Sequence, residues 1–169
     1  MLSPKLEEAL NSQMNNEFYS EFEYLSMAAY FHDMDLDGIA NYFHVQAQEE
    51  HFHAMKIYNF INNKGGKLVL QAIKAPTTKF GDAIKVFERA LEHEQYVTKS
   101  INSLMDVAIK ENDHAVNSFL RWYVDEQVEE EALATKSLNR MKITNGKGEG
   151  LLILDQEFAQ RAFTPPPAE

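Results

Sequence analysis

The residues best suited to chemistry are four glutamates and one histidine that interrupt apolar helical stripes. Glu50 and His53 stand three residues apart, which is about 60° around a helix, so both side chains can reach one metal ion. Three further carboxylates fall at similar heights on three other stripes, and they are Glu17, Glu94 and Glu130. Burying one ionised carboxylate without a partner costs several kcal/mol, and no Lys or Arg lies on these stripes near that height. The pattern therefore predicts that bound cations supply the missing positive charge.

The types of these residues indicate which cation is bound. Carboxylates with a single imidazole suit iron or manganese, with zinc as a competitor. The chain has no Cys, which excludes thiolate zinc sites and Cys-ligated iron–sulfur clusters. We expect Glu17, Glu50 and His53 to hold a first ion. Glu50 is then placed to bridge to a second ion held by Glu94 and Glu130.

Further residues flank this set. Gln127, one turn before Glu130, is placed to hydrogen-bond a bound water or oxygen species. Tyr24 is predicted to lie near the site as a hydrogen-bond partner, as an electron donor, or as a core tyrosine with a satisfied hydroxyl group. Three carboxylates next to the inner set are candidates for a third, looser iron position, with a solvated acidic face as the alternative: Glu49, Glu126 and Glu129.

Long helices must position these residues. Ser3 before Pro4 is typical of a helix start, and we predict a first helix over about 4–33. A short connector is predicted over 35–38, and Asp37 is a candidate cap for the helix that follows. This second helix is predicted to end near Lys64, because Gly65-Gly66 is typical of a helix C-terminus. Two more long helices are predicted over about 81–111 and 113–143, the latter capped at Asn112-Asp113, and a short one over about 150–162.

The connections between these helices predict the fold. They are short, long and short, and the long one, residues 65–80, includes an extended stretch at 67–70. The expected fold is all-α: a four-helix bundle of the ferritin-like variant, with one long crossover and a short fifth helix. We expect one domain over 1–163 and a flexible Pro-rich tail over 164–169.

Charge and hydropathy exclude several classes of protein. Among 169 residues, 26 are acidic and 16 basic, for a net charge of −10. The chain lacks the basic footprint of a general nucleic-acid binder, and acidic balance attracts cations instead. No apolar run approaches the length of a membrane span, and the N-terminus lacks the apolar region of a signal peptide. We therefore expect a soluble cytoplasmic protein.

The motifs together resemble those of non-haem bacterial-type ferritins, over Met1 to about Phe163. The resemblance is carried by Asn15-Asn16-Glu17-Phe18-Tyr19, Glu49-Glu50-x-x-His53-Ala54, Glu92-His93-Glu94 and Trp122-Tyr123-x-x-Glu126-Gln127-x-Glu129-Glu130-Glu131. It implies a homo-oligomeric hollow shell of 24 subunits with octahedral symmetry. It also implies a ferroxidase that oxidises Fe(II) with O₂ or H₂O₂ at a diiron centre, after which Fe(III) is stored as a ferric oxyhydroxide mineral.

The resemblance also assigns roles to residues. It implies a first iron on Glu17, Glu50 and His53, a second on Glu50, Glu94 and Glu130, and matching positions for Gln127 and Tyr24. The third iron site of bacterial-type members matches Glu49, Glu126, Glu129 and Glu130. The chain has His51 and Phe52 where bacterioferritins carry their haem-binding Met, so no haem is implied.

Two other functions compete with iron storage. One is a diiron redox or peroxide-scavenging enzyme that turns over without accumulating mineral. The fourth predicted helix has Gln127-x-x-Glu130 where such enzymes carry a second Glu-x-x-His, which argues against this function. The other is a purely structural bundle in which polar core residues set the register, and it predicts a stability that does not depend on metal.

Overall fold

A computed structural model describes residues 2–165 and shows five helices. They are α1 (Pro4–His32), α2 (Asp37–Asn63), α3 (Ala83–Lys110), α4 (His114–Ile143) and α5 (Gly148–Phe158). The all-α class is confirmed, and the described residues contain no strand. The fifth helix begins and ends slightly earlier than predicted. Part of the predicted tail, residues 166–169, lies outside the described residues.

Side chains at the helix ends explain most of these boundaries. The Oγ atom of Ser3 accepts a hydrogen bond from the backbone N–H of Leu6 at 3.3 Å, which confirms the predicted start of α1. Asp113 accepts hydrogen bonds at 3.1 Å from the N–H groups of Ala115 and Val116, which confirms the predicted cap of α4. Asp82 caps α3 in the same way, and the sequence pattern had not singled it out.

The start of α2 differs from the prediction, because Asp37 does not cap it. The N-cap position is Leu36, which has no side-chain capping bond. Instead, Asp155 of α5 accepts a hydrogen bond from the backbone N–H of Ile39 at 2.8 Å. This approach requires Gly38, since a Cβ atom there would lie 1.8 Å from the carbonyl oxygen of Asp155. The short fifth helix is therefore seated on the first turn of α2.

The helices form two antiparallel hairpins joined by the predicted crossover. α1 packs on α2 and α3 packs on α4, while α1 and α3 also pack against each other. Residues 64–82 run alongside α1 and are held by its polar side chains. Asn11 bonds the backbone of Lys67 and Val69, at 2.9 and 2.8 Å, and Glu23 accepts from the N–H of Thr77 at 2.8 Å. The crossover thus returns the chain along the bundle, so that α3 runs antiparallel to α1.

The core consists of two apolar clusters, one toward each end of the bundle. The cluster beside α5 includes Phe31, Phe43, Phe87 and Phe158. The cluster at the opposite end includes Leu10, Ile57, Ile101 and Leu120. The four inward-facing glutamates named above occupy the heights between them and are almost completely buried. None of the helices in the described part of the chain is long and apolar enough to cross a membrane.

Candidate metal centre

The first hairpin supplies a compact set of three candidate ligands. Glu17 comes from the middle of α1, and Glu50 and His53 come from successive turns of α2. One ligand atom from each lies within 4.8 Å of the others, and all three side chains are buried. This is the set that the sequence predicted for the first ion. Its members are also close enough to receive one ion without a change in the backbone.

The second hairpin supplies Glu94 and Glu130, which are joined to neighbours by hydrogen bonds. The Tyr24 hydroxyl donates to Oε1 of Glu94, and Nε2 of Gln127 donates to its Oε2 at 3.2 Å. Nε2 of Gln46 donates to Oε2 of Glu130 at 2.9 Å. Tyr24 and Gln127 therefore lie beside the site, as predicted, and each orients the same carboxylate.

Several buried polar atoms have no hydrogen-bond partner at the height of the four inward-facing glutamates, a region that we call the carboxylate layer. Oε2 of Glu17, Oε2 of Glu50 and Oε1 of Gln46 are buried and make no hydrogen bond. Oε2 of Glu50 lies 3.4 Å from Nδ1 of His53, in a geometry that forms no hydrogen bond. Buried polar atoms are normally paired, and leaving them unpaired is costly. Glu17 and Glu50 belong to the same group of candidate ligands, so their unpaired oxygens are available to one cation.

The electrostatics of the layer agree with this geometry. Burial raises the pKa of Glu50 well above its ordinary value, and the charges of Glu94, Glu17 and Glu130 raise it further. Burial and the charge of Glu130 also raise the pKa of Glu94. Burial lowers the pKa of His53, which keeps its imidazole neutral and able to donate a lone pair to a metal. Glu50 and Glu94 therefore retain protons more readily than ordinary carboxyl groups, and a bound cation would displace these protons.

A second group of candidate ligands lies on the α4 side of His53. Ligand atoms of His53, Glu126 and Glu130 are within 4.8 Å of one another, and Glu126 is partly exposed. Burial, together with the charges of Glu130 and Glu129, raises the pKa of Glu126 to about 7. The sequence had assigned Glu126 to a third site and His53 to the first ion alone. The structure brings these two residues close enough for His53 to face both positions.

The remaining predicted third-site residues are less well gathered. Glu129 is exposed and belongs to neither group of ligands. Oε2 of Glu49 lies 2.6 Å from Nη2 of Arg161, in the segment after α5. Burial raises the pKa of Glu49 to about 7, although the charge of Arg161 lowers it. Glu49, one of the expected ligands, is thus already paired with the positively charged side chain of Arg161.

Three residues of the site region were missed by the sequence analysis. Gln13 donates from Nε2 to Oε1 of Glu17 at 2.8 Å, and Gln46 supports Glu130. Both amides lie on the predicted apolar stripes one turn before a glutamate, which is the signal that could have found them. Arg161 follows the fifth helix, and no periodic pattern connects it with Glu49.

Comparisons with known proteins agree with the fold. Residues 7–144 match a family model described as a ferritin-like domain. The chain is 42% identical over 163 residues to the bacterial non-heme ferritin of Staphylococcus saprophyticus, and the match covers 96% of this chain and 98% of that one. It is 40% identical, with the same coverage, to the bacterial non-heme ferritin of a Staphylococcus aureus strain.

Solved structures give the same result. One is a closed form of the Archaeoglobus fulgidus ferritin that was engineered by site-directed mutagenesis. It superposes with a TM-score of 0.95 at 43% identity, and the match covers 97% of this chain and all of that one. The open pore ferritin of the same hyperthermophilic archaeon superposes with a TM-score of 0.94 at 42% identity, covering 96% of this chain and all of that one.

Proposed function

Because the chain belongs to the ferritin family, we propose that it stores iron and oxidises Fe(II) at the buried layer between its two hairpins. The observation that carries this proposal is the convergence of Glu17, Glu50 and His53. Their ligand atoms lie within 4.8 Å of one another, and the Oε2 atoms of both glutamates are buried without a partner. Fe(II) is the substrate that these oxygen ligands and one imidazole suit.

Two Fe(II) ions bind in the proposed reaction. Glu17, Glu50 and His53 hold the first, and Glu50 bridges to the second, which Glu94 and Glu130 complete. Each arrival displaces protons from carboxyl groups whose pKa burial has raised. Without iron, protons on Glu50 and Glu94 reduce the negative charge buried in the layer. Binding therefore exchanges these protons for iron, and their release offsets part of the positive charge that Fe(II) brings.

Electron transfer follows from pairing the two ions. Each Fe(II) gives one electron, so the pair supplies the two electrons that, together with two protons, reduce O₂ to H₂O₂ or H₂O₂ to two molecules of water. Carboxylate ligands favour Fe(III) over Fe(II), which lowers the reduction potential of the ion and promotes its oxidation. Gln127 and Tyr24 hold Glu94 by hydrogen bonds, so they fix the position of a ligand to the second ion.

The oxidised product leaves for storage. We propose that Fe(III) moves inward from the site and hydrolyses to a ferric oxyhydroxide mineral inside a hollow homo-oligomer of 24 subunits with octahedral symmetry. Oxygen ligands and a single imidazole leave Fe(III) labile enough to be released. Solved structures of the Archaeoglobus fulgidus ferritin include an open pore ferritin and an engineered closed form.

The third proposed iron position lies on the α4 side of His53. Glu126 and Glu130 lie within ligand distance of one another and of His53. Glu49 must release Arg161 to take part. We therefore propose that Glu126 and Glu130 form its permanent part, and that Glu49 and Glu129 join only when iron is present.

Aerobic loading tests the proposal. The purified protein is given several hundred Fe(II) ions per presumed shell, and size-exclusion chromatography then detects iron and protein together. Storage predicts hundreds of irons eluting with a particle of about 24 subunits, and ferroxidation predicts that Glu50→Gln slows the appearance of Fe(III). Iron that stops at two or three per chain would overturn storage and favour a diiron enzyme that consumes peroxide without a mineral.

A further inference from the structure

A pair of histidines lies at the end of the bundle, away from the carboxylate layer. His32 is the last residue of α1, and His44 lies two turns into α2. Their Nε2 atoms are 3.1 Å apart, and both side chains are exposed. The Nδ1 atom of His32 lies 2.8 Å from Oδ1 of Asp37. From this arrangement we propose that His32 and His44 form a second metal site, which binds one divalent transition-metal ion such as Zn²⁺ or Cu²⁺.

The Asp37 carboxylate determines which nitrogen of His32 is free. A carboxylate accepts a hydrogen bond but cannot donate one, so Nδ1 of His32 carries the proton. The lone pair of His32 is therefore on Nε2, and it points toward Nε2 of His44. Histidines that bind metals usually have their other nitrogen fixed by a carboxylate or carbonyl group in this way. Without metal, the Nε2–H group of His44 therefore donates a hydrogen bond to Nε2 of His32.

The separation of the two nitrogens fits chelation. Two imidazole nitrogens at about 2.0–2.1 Å from one ion are about 2.9–3.4 Å apart when the angle at the metal is between about 90° and 109°. The observed Nε2–Nε2 distance of 3.1 Å lies inside this range. The ring centroids are 5.4 Å apart, so the two Nε2 atoms face each other nearly head-on. Metal binding then requires that the proton of His44 move from Nε2 to Nδ1 and that both exposed rings tilt until their lone pairs converge on one ion.

The turn between α1 and α2 holds the pair and carries negative charge. The backbone N–H of Leu36 donates to the carbonyl oxygen of Phe31 at 3.0 Å, and the Leu36 side chain is buried. These contacts fix the distance between the two helices at the pair. The same turn exposes three carboxylates that attract a cation: Asp33, Asp35 and Asp37.

This site differs in chemistry from the carboxylate layer. It offers two imidazoles, whereas the layer offers only the imidazole of His53. Imidazole ligands suit zinc and copper, and divalent copper and zinc bind such sites more tightly than Fe(II) does. The proposal therefore does not rest on iron oxidation and can hold or fail independently of it.

Zinc stoichiometry of the intact protein tests the proposal. Equilibrium dialysis against Zn²⁺ is expected to show that His44→Ala and His32→Ala each bind one ion fewer per chain than the unmodified protein. Asp37→Asn is expected to weaken the same ion by about 10-fold or more, because it loses the carboxylate that orients His32. The matched control is His51→Ala, on the same helix. His51 is also exposed and paired with an acid, Glu21 at 3.0 Å, and its substitution should leave the stoichiometry unchanged.

Copper spectroscopy provides the second measurement. The EPR difference spectrum of Cu²⁺ in the unmodified protein minus His44→Ala should show coupling to two nitrogens. Equal zinc stoichiometry in the unmodified protein and His44→Ala would overturn the proposal, and so would an equal loss in His51→Ala. Circular dichroism of His44→Ala, with an exposed substitution, should match the unmodified protein and exclude misfolding as the cause of any loss.

Discussion

The guanidinium group of Arg161 lies 2.6 Å from the carboxylate of Glu49 and thereby connects the segment after α5 to the expected third iron position. Arg161 is also held through its backbone, because the side chain of Asn41 donates to its carbonyl oxygen at 2.9 Å. Its guanidinium carbon lies 4.7 Å from the ring centre of Tyr42. The arginine is therefore fixed in position, and a metal ion at the third position competes with it for Glu49.

Removing Arg161 should strengthen metal binding at the third position. In Arg161→Gln, Glu49 no longer has to leave an ion pair before it contacts the metal. Anaerobic Fe(II) titration should then show the third equivalent binding at least several-fold more tightly, while the first two are unchanged. Arg140→Gln is the matched control, since Arg140 of α4 forms an ion pair with Glu157 of α5 but lies away from the site. Equal affinities in all three proteins would contradict the competition.

Gln46 is expected to position Glu130 for the second iron. Gln46→Leu removes the 2.9 Å hydrogen bond and keeps similar bulk, so Glu130 loses a restraint on its orientation. Removal of a group that orients a metal ligand typically lowers affinity or activity by about 10–100-fold. We therefore expect the initial rate of Fe(II) oxidation to fall about 10-fold. Stopped-flow absorbance of Fe(III) measures this rate. Gln48→Leu, on the exposed side of α2, should leave it unchanged.

Replacement of Tyr24 distinguishes the two roles proposed for its hydroxyl group. Tyr24→Phe removes one donor to Glu94. A hydrogen-bond role predicts a few-fold slower oxidation with no radical signal in the unmodified protein, whereas an electron-donor role predicts a transient tyrosyl radical that the variant lacks. Freeze-quench EPR separates these outcomes. Tyr123→Phe is the control, because Tyr123 is equally buried but donates to the backbone carbonyl of His53, at 2.7 Å.

The metal-free protein should lose stability as the pH rises from about 6.5 to about 8, where the pKa of Glu94 lies. The pKa of Glu94 is raised in the folded state, so the folded state binds more protons than the unfolded one, and its stability falls as these protons leave. The lowered pKa values of His53 and His93 act in the opposite direction, but only below their ordinary value of 6.5. Glu94→Gln should therefore show a smaller fall in melting temperature between about pH 6.5 and pH 8.

The same melts test whether the layer binds metal. Zn²⁺, which is not oxidised, should raise the melting temperature of the unmodified protein above pH 7, and a chelator should reverse the change. Glu94→Gln should gain less from Zn²⁺. The control is Glu92→Gln, an exposed position on the same helix, which should behave like the unmodified protein. A melting temperature that changes with neither metal nor chelator would favour a purely structural bundle.

Gly38 should be essential for seating α5. In Gly38→Ala, the new methyl group would meet the carbonyl oxygen of Asp155, so α5 must shift away from the start of α2. Overpacking of this kind typically costs about 1–3 kcal/mol in the free energy of unfolding, which denaturant melts can measure. Gly150→Ala, within α5, places its Cβ no closer than 3.4 Å to its neighbour and should cost far less.

The sequence predicted the helices and the burial of the four candidate glutamate ligands because both depend on periodicity. A carboxylate on an apolar stripe conflicts with burial, and that conflict singled out Glu17, Glu50, Glu94 and Glu130. Gln13 and Gln46 stand on the same stripes, but an amide carries no charge, so they produced no comparable conflict.

The contacts of α5 and the segment after it could not be predicted from periodicity. The Asp155 cap of α2 and the Arg161–Glu49 pair each join residues more than one hundred positions apart. A helical pattern fixes which face of a helix is apolar, but not where a short helix docks on the bundle. For the same reason Asp37 was assigned as a cap from local sequence alone.

The division of the ligands between the two hairpins has a consequence for the order of folding. Helical hairpins form through local contacts and therefore form quickly, whereas joining them requires closure of the long crossover. Glu17, Glu50 and His53 all belong to the first hairpin, so this half of the centre can assemble before the chain is complete. Glu94 and Glu130 arrive only when the second hairpin docks. Docking is thus the step at which the proposed mononuclear site would become a dinuclear one, and we expect iron present during folding to favour it.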